Sequence, residues 1–290
     1  MEGLELSIRK AVVSYPGIIF WLQKIFAKFG ISIIKIQRHQ ISEGSINLNI
    51  GSSDYSIPGF VNLDMPSEWY GKTQSRNNFV PFDATINKLP FPSGAVDNIY
   101  LSHIIEHLPR GVVENLLVES VRVLKIGGVI RICTPDAKFL WDISRFGNNY
   151  WNRFVIDFVQ DLLIKNVVPD AYDYLTFELA SWSRFHGHSE KPDLEETHKR
   201  LSNLSFEDCM NLITADIAYD KTRPGRHVSW WGINRIREML EPYFGSSIHI
   251  VNSKFQGSVS PSMIGTYFDR TVPFLSLYVE IVKLEECTIA

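Results

Sequence analysis

Residues Ile46–Asp64 read I-N-L-N-I-G-S-S-D-Y-S-I-P-G-F-V-N-L-D, and the rest of the chain is organised around them. Two short β-like runs, Ile46–Ile50 and Phe60–Asp64, flank a turn-rich connector. Gly51 stands where the first run ends and Asp64 where the second ends. In an open α/β sheet a nucleotide binds at that place. A backbone turn follows strand one, and a carboxylate after strand two hydrogen-bonds ribose hydroxyls. One Gly and one Asp are a weak signal alone, since a dehydrogenase could own the same pair. The segments beyond them decide.

Past Asp64 a strand–helix rhythm continues. Asn78–Phe82, followed by Asp83, is predicted as strand three. Leu89–Gly94 is a Pro/Gly loop that suits neither helix nor central strand. Val96–Ser102 is strand four. Gly111–Leu124 carries Val113, Leu116, Leu117, Val121 and Leu124 at helical spacing, and the glycines of Ile126–Gly128 suit a C-terminal cap. Val129–Cys133 is strand five, closed by Thr134-Pro135-Asp136. Further on, Trp231–Phe244 reads as a helix, Ser247–Ser253 as a strand and Ser276–Lys283 as the last strand. Alternation of this kind predicts an α/β chain with a mostly parallel sheet. Residues 137–225 break the rhythm. They are rich in aromatic residues and lack period-two alternation, so they read as a helical insertion after strand five, covering the C-terminal edge of the sheet.

The 290 residues are 45% apolar and 21% charged, which is globular composition. A net charge of −3 without a basic block disfavours nucleic acid as a partner. Cys133, Cys209 and Cys287 are odd in number and widely spaced. They form neither a disulfide framework nor a zinc pattern, and a cytoplasmic protein is expected. No secretory signal is expected, and no run approaches the roughly 20 apolar residues that span a bilayer. Residues 1–40 are set apart as an N-terminal segment, with residues 41–290 as the main domain. This segment holds Arg9, Lys10, Lys24, Lys28, Lys35 and Arg38 against Glu2 and Glu5. Within residues 17–36, Ile18, Leu22, Ile25, Phe26 and Phe29 fall at helical spacing. Two readings stand: peripheral contact with the inner face of a membrane, or packing on the domain or on the second subunit of a homodimer. The second is the commoner fate of an amphipathic helix.

The order of motifs then becomes specific. Gly51-Ser52-Ser53, Asp64 and Asp83-Ala84 are followed by L-P-F-P-S-G-A-V-D-N-I-Y-L-S-H-I-I-E-H-L over Leu89–Leu108. Next come E-S-V-R-V-L-K-I-G-G over Glu119–Gly128, and Pro135-Asp136. This order resembles the class I S-adenosylmethionine-dependent methyltransferases, in particular the type 11-like subgroup associated with bacterial surface polysaccharide genes. The resemblance covers about Ile46 to Asp136 and resumes from about His227 to Lys283. Its most specific piece is Glu106-His107-Leu108 with Arg122-Val123-Leu124-Lys125-x-Gly127-Gly128. It implies a Rossmann-like seven-stranded sheet, mostly parallel, whose last strand is antiparallel. It implies S-adenosylmethionine as cofactor, with Gly51, Ser52 and Ser53 against its methionine part and Asp64 on the ribose. Asp83 and Ala84 would sit by the adenine, and Ser102 and His103 by the sulfonium. The acceptor implied is an oxygen or nitrogen of a small molecule or glycan, such as a sugar of a surface polysaccharide. Two departures stand out. Serines follow Gly51 where the family usually has glycine, which forfeits some freedom for φ > 0. Residues 52–59 are also too few for a crossover helix, so a turn or one helical turn is expected there.

His103-Ile-Ile-Glu106-His107 also matches the H-x-x-E-H pattern of inverted zincins. That pattern needs a long helix, which Pro109 and Gly111 would cut short, so no resident metal is expected and a zinc hydrolase is the minor alternative. A non-catalytic fold that only binds the cofactor is the other. In a methyltransferase, Glu106, His107 and His103 are the candidates near the transferred methyl, with His107 suited to take a proton near neutral pH. The competing role of the Glu106-His107 pair is to fix the turn below strand four. Asp136 reads as a substrate contact or a helix cap. His227 and Trp230 read as sugar contacts or as anchors of the next helix, and His186 and His188 are weaker candidates of the same kind.

Overall fold

A computed structural model describes residues 40–53, 55–66, 79–144, 171–180, 203–271, 273 and 275–287. The amphipathic helix expected within residues 17–36, together with His186 and His188, lies outside the described residues. Seven strands form one sheet: β1 (Asn47–Ile50), β2 (Val61–Asp64), β3 (Phe79–Pro81), β4 (Val96–Ser102), β5 (Leu124–Pro135), β6 (Ile248–Asn252) and β7 (Ser276–Lys283). Their order is β3-β2-β1-β4-β5-β7-β6. The first five strands run parallel. β7 runs antiparallel to both β5 and β6. The fold is the Rossmann-like one expected.

Burial explains the run of apolar residues in the central strands. Leu48, Ile50, Leu63, Ile99, Leu101, Ile130 and Ile132 are buried in one core. Helix α1 (Arg110–Val123) lays Val113, Leu116, Leu117 and Val121 against that core. The helix that follows the insertion, Ile233–Phe244, adds Ile236, Met239 and Leu240 to the same face. The opposite face is closed by Ile57, Phe60, Tyr100, Met263 and Phe268.

Two local expectations meet different outcomes. The connector after β1 forms turns, with no helix among its described residues, as its length requires. The glycines after α1 are not a helix cap. α1 ends at Val123 and β5 starts at Leu124, so Gly127 and Gly128 lie inside the strand. Gly127 takes φ +78°. At Gly128 a Cβ would meet the carbonyl oxygens of Asp97 and Lys125 at 2.9 Å each. The pair lets β5 enter the sheet against the irregular start of β4, where the register shifts between Val96 and Asn98.

Described parts of the 137–225 stretch are helical: α2 (Ala137–Ser144), α3 (Ala171–Ala180) and α4 (Phe206–Thr214). With the earlier helix these number α1 to α4, and Ile233–Phe244 is α5. Leu140, Trp141, Leu175, Leu179, Met210 and Trp230 join in a second apolar cluster. Among the described residues no helix is long and apolar enough to cross a membrane.

Candidate functional site

A cleft opens at the carboxyl ends of β1 to β4, where strand order reverses between β1 and β4. Its non-atom space, open solvent included, comes to about 760 Å³.

β1 delivers the chain into the cleft at Gly51, which takes φ +70°. A Cβ there would lie 2.5 Å from Ile104 Cδ1, so glycine keeps this part of the floor open. Ser53 also takes the left-handed conformation, at φ +47°. For a residue with a side chain that costs about 1–2 kcal/mol. Asp64 offsets the cost. Its Oδ2 accepts the Ser53 N–H at 2.6 Å, and its Oδ1 accepts the Met65 N–H at 2.7 Å. Ser52 is buried behind the turn, and its Oγ finds no partner among the described residues.

Asp83 follows β3. Its Oδ1 accepts from the Thr85 N–H at 2.9 Å and the Thr85 hydroxyl at 2.6 Å, and its Oδ2 accepts from Lys221 Nζ at 2.6 Å. Burial opposes the charge, but the bonds from Lys221 and Thr85 outweigh it and hold the carboxyl below its ordinary value. Phe82, Ile104 and Leu108 supply apolar wall to the cleft.

After β4 the chain turns sharply at His103, which takes φ +51°. Its N–H donates to the Cys133 carbonyl at 2.8 Å. Its Nε2 lies 3.0 Å from Ser276 Oγ, and its Nδ1 lies 2.9 Å from Glu106 Oε1. Burial opposes the charged imidazole, yet Cys133 and Glu106 beside it hold His103 well above its ordinary value. Burial likewise opposes the Glu106 carboxylate, and His103 overrides it, drawing that group down to about 2. An imidazolium–carboxylate pair results. The Thr134 hydroxyl donates to the other oxygen, Glu106 Oε2, at 3.1 Å.

Glu106 and His107 lie on a single 3-10 turn, Ile105–His107. The segment before α5 is laced to that turn. Val228 and Ser229 donate their N–H groups to the Glu106 carbonyl at 2.8 and 3.2 Å. Trp231 Nε1 donates to the Ile105 carbonyl at 3.1 Å. These bonds seat the ring of His227 edge-on against His107, with centroids 4.7 Å apart. His107 Nδ1 donates to the Arg226 carbonyl at 2.9 Å, and His227 Nδ1 donates to the Glu178 carbonyl at 2.8 Å. A carbonyl can only accept, so in each neutral ring Nε2 carries the lone pair. Burial, with His107 next to it, lowers His227 to about 3. Burial also raises the Glu178 carboxyl to about 7.

Of the residues singled out in the sequence, Gly51, Ser53, Asp64, Asp83, Ala84, His103 and His107 line the cleft. Glu106 and His227 stand one layer behind, touching His103 and His107. Ser52, Ser102, Asp136 and Trp230 are not on its wall. Asp136 accepts the Phe139 N–H at 3.0 Å and so caps α2. Trp230 donates to Asn211 at 2.9 Å and lies under the Arg235 guanidinium at 3.8 Å. His103 and His107 do not share a helix, which removes the inverted-zincin geometry. Sequence reasoning missed Tyr219, Lys221 and Pro224, which line the cleft from a loop without periodicity. It also missed Glu178, whose carbonyl holds His227.

Residues 60–132 match the model of a family described as a methyltransferase domain. No curated protein matches the chain. Among solved structures, an S-adenosylmethionine-dependent methyltransferase of Archaeoglobus fulgidus is 22% identical with a TM-score of 0.28, over 32% of this chain and 46% of that one. The chain thus spans less than half of that protein. One of Methanococcus maripaludis is 15% identical with a TM-score of 0.36, over 98% of this chain and 92% of that one. A Haloferax volcanii chain, from a complex of the Trm112 methyltransferase activator with a methyltransferase, is 12% identical with a TM-score of 0.41 and covers 87% of each chain. The matched methyltransferase domain runs from the start of β2 into β5 and carries Asp64, Asp83, Glu106 and His107. S-adenosylmethionine is the cofactor of such a domain. The open floor at Gly51, the two carboxylates and the apolar lining of Phe82, Ile104 and Leu108 fit it.

Proposed function

We propose that the protein methylates a hydroxyl oxygen, carried by a small molecule or by a sugar of a surface glycan or its precursor. The observation that carries this reading is the single cleft that joins Gly51, Asp64 and Asp83 to His103 and His107. Asp64 binds the ribose hydroxyls, Asp83 faces the adenine amine, and Gly51 and Ser53 hold the methionine part with backbone groups. When bound, S-adenosylmethionine supplies an electrophilic methyl group on a sulfonium sulfur. The chain's own contribution is position and acid–base chemistry. His103 and His107 border the end of the cleft away from Asp83, and the acceptor hydroxyl approaches there. The His107 Nε2 lone pair accepts its hydrogen bond and orients the oxygen. The sugar reading rests on the family resemblance and on His107, because Trp230 is engaged in packing rather than in a binding face.

Calorimetry with S-adenosylmethionine and S-adenosylhomocysteine tests this. Binding with a dissociation constant in the micromolar range is expected. In Asp64→Ala and Asp64→Asn the affinity should fall at least about tenfold, or roughly 1.4 kcal/mol, with the circular dichroism of the folded protein retained. No binding at millimolar ligand rejects the function, and undiminished affinity in both variants rejects the ribose role.

A further inference from the structure

Glu106, His107 and His227 each offer one donor atom, and those three atoms lie within 4.8 Å of one another. Two of the three residues are adjacent in sequence, while the third comes from the segment laced onto their turn. The outer partners are those of metal-ligating histidines: each Nδ1–H is held by a backbone carbonyl, at 2.9 Å for His107 and 2.8 Å for His227. Both tautomers are therefore set with Nε2 as the available ligand nitrogen. Among the described residues no hydrogen bond reaches either Nε2. Glu106 is 2% exposed and oriented by Thr134 and His103. Carboxylates that ligate metals are held by hydrogen bonds in the same way. His107 lines the cleft, so a cation would have both an entry path and open coordination positions.

We infer that Glu106, His107 and His227 bind a divalent transition-metal cation on the acceptor side of the cleft, leaving positions open for an oxygen of the acceptor. Two imidazoles and one carboxylate suit zinc, cobalt, iron or manganese rather than magnesium or calcium, which prefer all-oxygen cages. Donors around a tetrahedral ion at 2.0–2.1 Å stand about 3.4 Å apart, a spacing within reach of three donor atoms that already lie within 4.8 Å of one another. The role of the site rests on the function proposed above, and it changes one part of it. The His107 lone pair goes to the cation. The cation lowers the pKa of a bound hydroxyl, whose proton leaves to water at the cleft mouth. The cation itself can be detected without any acceptor.

The test uses the full chain, stripped with chelator and dialysed. Co2+ is titrated with absorption spectroscopy, and Zn2+, Mn2+ and Mg2+ by calorimetry. The expected result is one equivalent of Co2+ with d–d bands of a four- or five-coordinate ion, and competition by Zn2+. Binding should weaken by more than about 100-fold in His227→Ala and in Glu106→Gln, beyond the effect of losing an outer partner. S-adenosylhomocysteine affinity, measured on the same stripped proteins, reports folding and stands or falls separately. Absence of stoichiometric Co2+ and Zn2+ binding by the wild-type chain overturns the inference. Unchanged Co2+ affinity in both variants overturns it as well. If cation binding is found but S-adenosylhomocysteine does not bind, the metal site stands and the methyl-transfer reading falls.

Discussion

Asp83 and Lys221 meet across the cleft at 2.6 Å, with the lysine side chain 45% exposed and the aspartate 14%. An ion pair with one end in water contributes under about 1 kcal/mol. Its effect on protonation has a definite sign. The Asp83 carboxyl is held below its ordinary value in the folded chain. It therefore adds stability above the unfolded value near pH 4, and that stability is lost as pH falls through the lower folded value. Lys221→Ala should raise the Asp83 carboxyl value, visible by NMR titration, and cost under about 1 kcal/mol in urea unfolding. On the proposed adenine role, the ligand meets the Asp83 oxygen rather than the Lys221 ammonium. Lys221→Ala should therefore change S-adenosylhomocysteine affinity less than about threefold, while Asp83→Ala loses about tenfold. Equal losses in the two variants would mean that the ion pair, not the carboxylate, holds the ligand.

At the scale of elements, legibility followed locality. The 3.6-residue period of Val113, Leu116, Leu117 and Val121 placed α1 to within one residue at each end. The alternation of Ser276–Lys283 placed β7 to the residue. Asp64 and the Glu106-His107 pair were legible because their motif is local. His227 was legible only as a candidate, since nothing in spacing says that a residue 120 positions on will rest on His107. Gly127-Gly128 was legible as a break but not as part of a strand, because the approach of one backbone to another leaves no trace in polarity. That approach is measurable. A methyl at residue 128 would press on carbonyl oxygens 2.9 Å away, which cannot rotate aside. Gly128→Ala should cost about 1–3 kcal/mol in urea unfolding. Gly111 offers a contrast, being helical and facing open space. Gly111→Ala should add about 0.4–1 kcal/mol. If both substitutions have the same effect, the close approach at β5 does not constrain the strand.

Across the whole molecule, the least legible feature is a charged residue in the middle of the sheet. Val129–Cys133 reads as strand five, and Arg131 lies in the middle of it. It is fully buried and opposite Glu280 of β7 in the sheet register. Its guanidinium reaches Glu280 Oε1 at 3.0 Å, Asp269 Oδ2 at 2.5 Å, Ser253 Oγ at 2.8 Å and the Lys254 carbonyl at 2.7 Å. The carboxylates have further donors, with Gln256 N–H on Asp269 at 2.6 Å and Val259 N–H on Glu280 at 3.0 Å. One cation thus ties β5, β7 and the 253–269 loop across sequence separations of more than 100 residues, and no local pattern announces such a tie. Removing the cation leaves two carboxylates buried without it. Arg131→Leu should cost about 3–5 kcal/mol, read as a lower urea midpoint at unchanged slope. If the deficit comes from unpaired charge rather than from lost volume, then adding Asp269→Asn and Glu280→Gln to Arg131→Leu should recover part of it. Further loss in the triple variant would show that the carboxylates are held by their backbone donors and that Arg131 acts by filling space.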